Sequence, residues 1–201
     1  MFTARFQEWV RGAARRLVPV LRLLGLTPNA LTVLGLVVSV ASAVLVALGS
    51  LTIGGIVLLL ASGFDILDGA LARVTGRVHR YGAFLDSTTD RYAECFIYIA
   101  LLYYFLAHTH SSVEPMLVTV ALTGSLLVSY VRARAQSLGF ASHGGLLARP
   151  ERVVITVVGL VFTPALYWAL WVLAVLTNVT AVQRIWIVWQ QARRLPAVDP
   201  Q

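Results

Sequence analysis

Residues 30–48 carry no charged side chain. A helix needs about 20 predominantly apolar residues to cross the hydrocarbon core of a bilayer, and this run is of that length. The pattern then recurs. Gly49-Ser50 breaks the first run, and residues 51–72 follow, apolar apart from an Asp pair near their C-terminal end. Residues 83–106 gather their acids near their start, and residues 115–135 form a fourth run. The apolar stretch 153–189 is too long for one helix and contains Pro164, which favours a break there. It divides into a short fifth segment, 153–163 with flanking residues, and a sixth, 165–190. Composition agrees: the chain is 58% hydrophobic and 12% charged, roughly half the charge of a soluble domain.

The loops test this count. Arg5, Arg11, Arg15, Arg16 and Arg22 precede the first segment. Arg73, Arg77 and Arg80 lie between the second and third, and Arg132, Arg134, Arg149 and Arg152 between the fourth and fifth. Arg193 and Arg194 follow the sixth. The alternate connections, near Gly49, at 108–114 and near Pro164, contain no Arg. Six spans with both termini cytoplasmic satisfy the positive-inside rule throughout, whereas five would put Arg193 and Arg194 outside. The expected fold is therefore an all-α, multi-pass integral protein of the cell membrane with six transmembrane helices. One membrane domain covers residues 1–201, with the bundle over 30–190. Residues 1–22 form a juxtamembrane segment. Within it Phe2, Phe6, Trp9 and Val10 can share one face while Arg5, Arg11, Arg15 and Arg16 face headgroups, the pattern of an amphipathic interfacial helix. Thr27-Pro28-Asn29 reads as the cap and first turn of the first span. No short apolar segment with a cleavage site precedes that span, so no signal peptide is expected.

All 16 basic residues are Arg, and the formal net charge is +7. These arginines sit between apolar runs and make no basic face with interleaved aromatics, which argues against nucleic acid as a partner. Membrane lipid headgroups and phosphate-bearing substrates suit them better. The single Cys95 excludes an intramolecular disulfide framework and reads as a packing residue.

Four of the nine acidic residues fall between positions 65 and 90. Asp65 and Asp68, spaced i, i+3, share a face at the end of the second span. Asp86 and Asp90, spaced i, i+4, share a face near the start of the third. Both ends meet one cytoplasmic loop, so packing the two faces together gathers four carboxylates near the membrane surface. Such a group repels itself and is costly to desolvate, and hard divalent cations remove both problems. Pairing with Arg73, Arg77, Arg80 and Arg91 accounts for one or two of the acids but not for the spacing of all four. The small residues Gly69, Ala72 and Gly82 allow close helix approach or contact with a bulky ligand.

Together these residues read Asp65-x2-Asp68-Gly69-x2-Ala72-Arg73-x8-Gly82-x3-Asp86-x3-Asp90, eight fixed positions over 26 residues. This resembles the complete signature of the CDP-alcohol phosphotransferase family. The resemblance implies a six-helix, homodimeric membrane enzyme that moves a substituted phosphate group from a CDP-linked lipid such as CDP-diacylglycerol to an alcohol. It further implies that Asp65, Asp68 and Asp86 bind two divalent ions, Mg²⁺ with Mn²⁺ as an alternative. Asp90 would contribute to one ion and serve as general base. Gly69 and Arg73 would contact the CDP-lipid, and Asn29 and Thr32 belong to a segment resembling a donor-contacting stretch of the family. His79 stands where a family member carries Thr or Ser, and a donor contact and a plain loop histidine are both open there.

Acceptor choice is carried elsewhere. Arg132 and Arg134 end the fourth span, Arg152 starts the fifth, and Arg184 lies in the cytoplasmic half of the sixth among apolar neighbours. Arg forks suit phosphate oxygens, so these four predict a pocket for an acceptor bearing its own phosphate, with loop charge and a snorkelling Arg184 as the alternative. Tyr130-Val131-Arg132-Ala133-Arg134-Ala135, Arg149-Pro150-Glu151-Arg152 and Val182-Gln183-Arg184 resemble segments of the prokaryotic phosphatidylinositol-phosphate synthases. In that group the corresponding basic residues bind inositol phosphate, with Lys often in place of Arg132. Glycerol 3-phosphate, the acceptor of phosphatidylglycerophosphate synthases, is the nearest rival, and serine would not need the arginines. A divalent-cation transporter would place acids near the bilayer midplane with a path on both faces; here the acids gather on the cytoplasmic side. An aspartate-rich membrane prenyltransferase would carry DDxxD-like motifs, and a purely structural protein has no use for the cluster.

Overall fold

The first two helices of this chain start at a hydroxyl residue, Thr27 or Ser50, and are each followed by a left-handed glycine, Gly49 or Gly76. The computed structural model describes residues 18–19, 21, 23, 25–76, 79–141 and 145–194. Helix α1 (Pro28–Ala47) starts on Thr27, whose hydroxyl accepts the Ala30 N–H at 3.2 Å, with Pro28 in its first turn. Gly49, at φ 85°, turns the chain into α2 (Leu51–Thr75), which ends on Gly76 at φ 66°. Helix α3 covers Arg80–His108, α4 Val113–Ser137, α5 Arg149–Val161 and α6 Leu166–Ala192. No strand occurs among the described residues.

The helices fall in the six apolar segments, with shifted ends. Helix α2 runs on to Thr75 rather than 72, because nothing before Gly76 stops it. Helix α5 starts at Arg149 rather than 153, with Pro150 and the acidic Glu151 both suited to a first turn. Pro164 forms a single 3-10 turn, Thr163–Ala165, that separates α5 from α6. The expected interfacial helix over residues 1–17 lies outside the described residues, as do Arg22 and Arg77.

Four segments are long and apolar enough to cross a membrane: Pro28–Ala47, Leu51–Thr75, Val113–Ser137 and Thr163–Ala192. They make this a multi-pass membrane protein. Helix α3 has the length, but charges occupy its first half. Helix α5 has 13 residues and rises only about 20 Å, less than the hydrocarbon thickness of about 30 Å.

The distribution of polarity fits that solvent. Val37, Ile53, Leu60, Met116 and Trp168 point outward, while Ser42, Ser125, Thr177 and Thr180 are wholly buried. Lipid offers no partner for a hydroxyl, so the helices supply their own. Thr177 donates to the Leu173 carbonyl at 2.8 Å, Thr180 to Leu176 at 2.6 Å and Thr156 to Arg152 at 2.9 Å.

The chain forms two compact units, residues 1–104 and 105–201. In the first, α1 and α2 make an antiparallel hairpin. Near its turn, Ser42 donates to the Gly54 carbonyl at 2.7 Å. A Cβ on Gly54 would stand 2.6 Å from Val46 Cγ2, so only glycine permits this approach. At the other end Val18, Leu31, Ala70 and Leu71 form a buried cluster with Leu21, Leu26, Phe64 and Leu67 packed on it. In the second unit α6 lies against α4 and α5. Asn178 donates to the Val120 carbonyl at 3.2 Å, Gly124 packs directly on Thr177, and a Cβ on Gly159 would stand 2.9 Å from that of Ala169.

Gly54→Ala is expected to destabilise the detergent-purified protein by ~1–3 kcal/mol through overpacking. Gly63→Ala, at a glycine whose added Cβ would meet nothing within 4 Å, leaves the melting temperature unchanged. Equal melting of both variants would remove the close-packed hairpin.

Candidate active site

Asp65 and Asp68 stand near the end of α2, and Asp86 near the start of α3. One carboxylate oxygen from each lies within 4.8 Å of the others. Asp68 is buried, with 6% of its surface exposed, while Asp65 and Asp86 are half-buried. Asp90 is also half-buried and stands one helical turn beyond Asp86 along α3.

A buried carboxylate needs a partner. Thr32, itself buried on α1, supplies one: its hydroxyl donates to Asp68 Oδ2 at 2.6 Å. The same hydroxyl is 3.1 Å from the Pro28 carbonyl, but it has one proton to give, and the shorter contact is to Asp68. Thr32 thus fixes the orientation of a cluster member.

The remaining expected donor-side residues lie on or next to the same three helices. The Asn29 side-chain oxygen would be 3.2 Å from a Cβ on Gly82, so the bare Gly82 backbone lets the starts of α1 and α3 meet. The Arg73 guanidinium folds back over Gly69, 3.4 Å from where its Cβ would be. His79 is exposed immediately before α3.

Three carboxylate oxygens this close are an all-oxygen donor set. That set suits a hard divalent cation such as Mg²⁺ or Mn²⁺ and not a soft, thiolate-seeking metal. Ligands about 2.1 Å from a Mg²⁺ ion lie up to about 4.2 Å apart, so small side-chain adjustments close the observed spread. The residues fit the metal that the sequence implies.

The second unit holds the arginines. Arg184 is 5% exposed and Arg152 2%. Arg184 donates from Nη1 to the Val128 carbonyl on α4 at 2.8 Å. Arg132, which is exposed, and Arg152 both act on its charge, so arginines from three helices serve one region of this unit. Arg134 is exposed and, two residues on from Arg132, lies about 200° around the helix. An anion is the natural occupant of such a convergence.

The segment 145–148 also touches this group, which the sequence reading did not single out. Gly145, at φ 120°, packs on Arg184, and Thr180 and Gln183 hold the two residues after it. The Gly144-Gly145 pair ahead of α5 was the one available signal, and it reads only as a turn.

The chain belongs to the CDP-alcohol phosphatidyltransferase family, whose sequence profile matches residues 25–189. It is accordingly a transferase of phospholipid biosynthesis, and the resemblance carried by the aspartate signature is borne out. The phosphatidylinositol phosphate synthase of Mycobacterium tuberculosis is 37% identical over 174 residues, 82% of this chain and 80% of that protein. The archaetidylinositol phosphate synthase of Pyrococcus horikoshii is 33% identical over 184 residues, 91% of this chain and 94% of its own. Crystal structures of the M. tuberculosis synthase match the fold at 35% identity. The one with CDP-DAG bound gives a TM-score of 0.85, covering 92% of this chain and 98% of that one. The one in complex with manganese and citrate gives 0.86, covering 94% and 95%.

Outer partners of metal ligands typically matter about 10–100-fold for affinity. Thr32→Val is expected to weaken Mn²⁺ binding by about that factor in a titration followed by paramagnetic resonance, while Thr32→Ser retains it. Unchanged binding in the Val variant would detach Thr32 from the metal centre.

Proposed function

We propose that this protein transfers a phosphatidyl group from CDP-diacylglycerol, or its ether-lipid equivalent, to a hydroxyl of inositol phosphate, with release of CMP. The observation that carries the acceptor is the pair of buried arginines, Arg152 and Arg184, gathered with Arg132. Arg forks match the oxygens of a phosphate, which an unphosphorylated alcohol does not carry. The bacterial relative is named a phosphatidylinositol phosphate synthase and the archaeal one an archaetidylinositol phosphate synthase, which supports the same acceptor.

Asp65, Asp68, Asp86 and Asp90 hold two Mg²⁺ ions in this reading, or Mn²⁺ in their place. Bound there, the metal supplies the positive charge that neutralises the pyrophosphate of the donor. Asn29, Thr32, Gly69, Arg73 and His79 belong to the donor side. The bare backbone of Gly69 lets the Arg73 guanidinium lie over it, from where it offers a fork to the diphosphate. Arg132, Arg134, Arg152 and Arg184 orient the phosphate of the acceptor. Asp90 accepts the proton of the attacking hydroxyl. The acceptor oxygen bonds to the lipid-linked phosphorus as the bond from that phosphorus to the bridging oxygen breaks, and CMP leaves with the electron pair.

The same proposal takes α3 and α5 as further crossings, which makes six. The Arg-bearing connections then face the cytoplasm, as do both termini and the reaction site. The whole chain works as one domain, with an amphipathic segment over 1–22, and as a homodimer.

The test is CMP release by purified protein with CDP-diacylglycerol and Mg²⁺, comparing inositol 1-phosphate, glycerol 3-phosphate, inositol and serine. Turnover with inositol 1-phosphate alone is expected, and Arg152→Ala and Arg184→Ala raise its KM most. Turnover with glycerol 3-phosphate alone would overturn the acceptor and keep the reaction. Asp90→Asn is expected to lower kcat by about 10²–10⁴-fold, the range of a lost general base; full turnover would place the base elsewhere.

A further inference from the structure

Arg184 is held on two sides by backbone, and the two holds are built differently. On one side its Nη1 donates to the Val128 carbonyl of α4 at 2.8 Å. On the other lies Gly145, in the connection that leads into α5. A Cβ added there would stand 3.1 Å from Arg184 Nε and 2.7 Å from Thr180 Cγ2. The φ of 120° at Gly145 is itself unfavourable for any residue with a side chain. Only bare backbone fits against the guanidinium at this point.

A loop segment does not stay pressed on a side chain without fastening. Here α6 supplies the fasteners from the same face as Arg184. Thr180, one turn before it, accepts the Leu147 N–H at 3.2 Å through a hydroxyl that donates to the Leu176 carbonyl at 2.6 Å. Gln183 accepts the Leu146 N–H at 3.3 Å. Thr180 is wholly buried and Leu147 is 4% exposed, so the Leu147 N–H depends on that hydroxyl. Further along α6 the Gln191 amide exchanges two hydrogen bonds with Ala141, at 3.0 and 2.6 Å. Helix α6 thus grips the backbone on both sides of residues 142–144 while presenting Arg184 beneath it.

We infer that Thr180 and Gln183 are positioning residues for the phosphorylated acceptor, acting through the Gly145–Leu147 backbone to fix the Arg184 guanidinium. The inference rests on the reading of Arg184 as an acceptor-phosphate ligand. Arg carries its donors in a rigid fork, so phosphate affinity depends on its orientation as well as its charge. With the Val128 carbonyl on one side and Gly145 on the other, the plane of the guanidinium is set before the acceptor arrives. Thr180→Val keeps shape and volume close to native but gives the Leu147 N–H no acceptor. The backbone then moves off Arg184, and the fork loses one of its two walls. Thr180 is wholly buried and its hydroxyl is committed to Leu147 and Leu176, so the effect belongs to acceptor binding through Arg184 and not to donor binding.

The experiment measures kcat and both KM values in purified wild type, Thr180→Val, Thr180→Ser and Gln183→Leu, using CDP-diacylglycerol with inositol 1-phosphate or glycerol 3-phosphate. Thr180→Val is expected to raise the KM of the phosphorylated acceptor about tenfold, the effect of about one buried hydrogen bond, with the donor KM unchanged. Thr180→Ser, which restores the hydroxyl, returns the acceptor KM to near wild type. Gln183→Leu, which removes the weaker fastener, raises it by a smaller factor. A wild-type acceptor KM in Thr180→Val overturns the inference, as does an equal rise in both KM values. Should Thr180→Val fail to fold, a wild-type acceptor KM in Gln183→Leu overturns it instead. Wild type inactive with both phosphorylated acceptors is a separate outcome: it sinks the reading of the arginine pocket and this inference with it.

Discussion

The hydrogen bond from Thr32 to Asp68 joins two demands that otherwise conflict. The chemistry asks for carboxylates at the end of an apolar helix, and the membrane asks that no buried polar group be left without a partner. Asp68 is the deepest of the three gathered acids and is held directly by α1. The bond also ties the far end of the α1–α2 hairpin, opposite the end where Ser42 grips Gly54. Helix packing and cluster geometry are therefore one feature in this unit: α1 must lie against α2 for Thr32 to reach Asp68. The glycines that allow close approach, Gly54 near the turn and Gly35 against Phe64, are conditions for the site as much as for the fold.

The second unit solves the same problem for positive charge. Arg184 and Arg152 are more costly to bury than a hydroxyl; Arg184 donates to a carbonyl from α4 and packs against Gly145 in the segment before α5. The use of Arg throughout has a physical consequence. A lysine ammonium is a point charge that accepts many orientations, whereas a guanidinium must be aimed. A site built from arginines therefore needs walls around them, and Gly145 and the Val128 carbonyl are walls of that kind.

Legibility in the sequence followed from how local each feature is. The apolar runs, the Thr27-Pro28 start of α1 and the break at Pro164 depend on neighbouring residues alone, and the helices lie where those signals put them. The aspartates were readable because their spacing of three and four residues on two successive helices encodes the shared faces. Asp65, Asp68 and Asp86 do meet. The role of Thr32 was less accessible. Resemblance assigned it to the donor, and only the folded hairpin shows that its hydroxyl is committed to an acid 36 residues away. The exact helix ends were also out of reach, since α2 continues to Gly76 through residues with no stop signal of their own.

The arginine pocket shows where local pattern runs out. Its parts come from α4, α5 and α6, and its supports bridge separations of 33 to 56 residues. No period in the sequence links Val128, Gly145 and Arg184, because their relation is fixed by tertiary packing and not by helical repeat. A glycine that looks like ordinary turn material becomes a surface on which a charged side chain rests. This asymmetry matches the division of chemistry. In the proposed reading most donor-side residues fall within the 26 positions of one signature, and their spacing leaves little freedom to change them without losing the reaction. In the same reading the acceptor falls to dispersed residues whose supports can vary one at a time. On that reading a change of acceptor is open to substitution at the supports of Arg184, while a change of donor requires rebuilding the hairpin that Thr32 and Asp68 close.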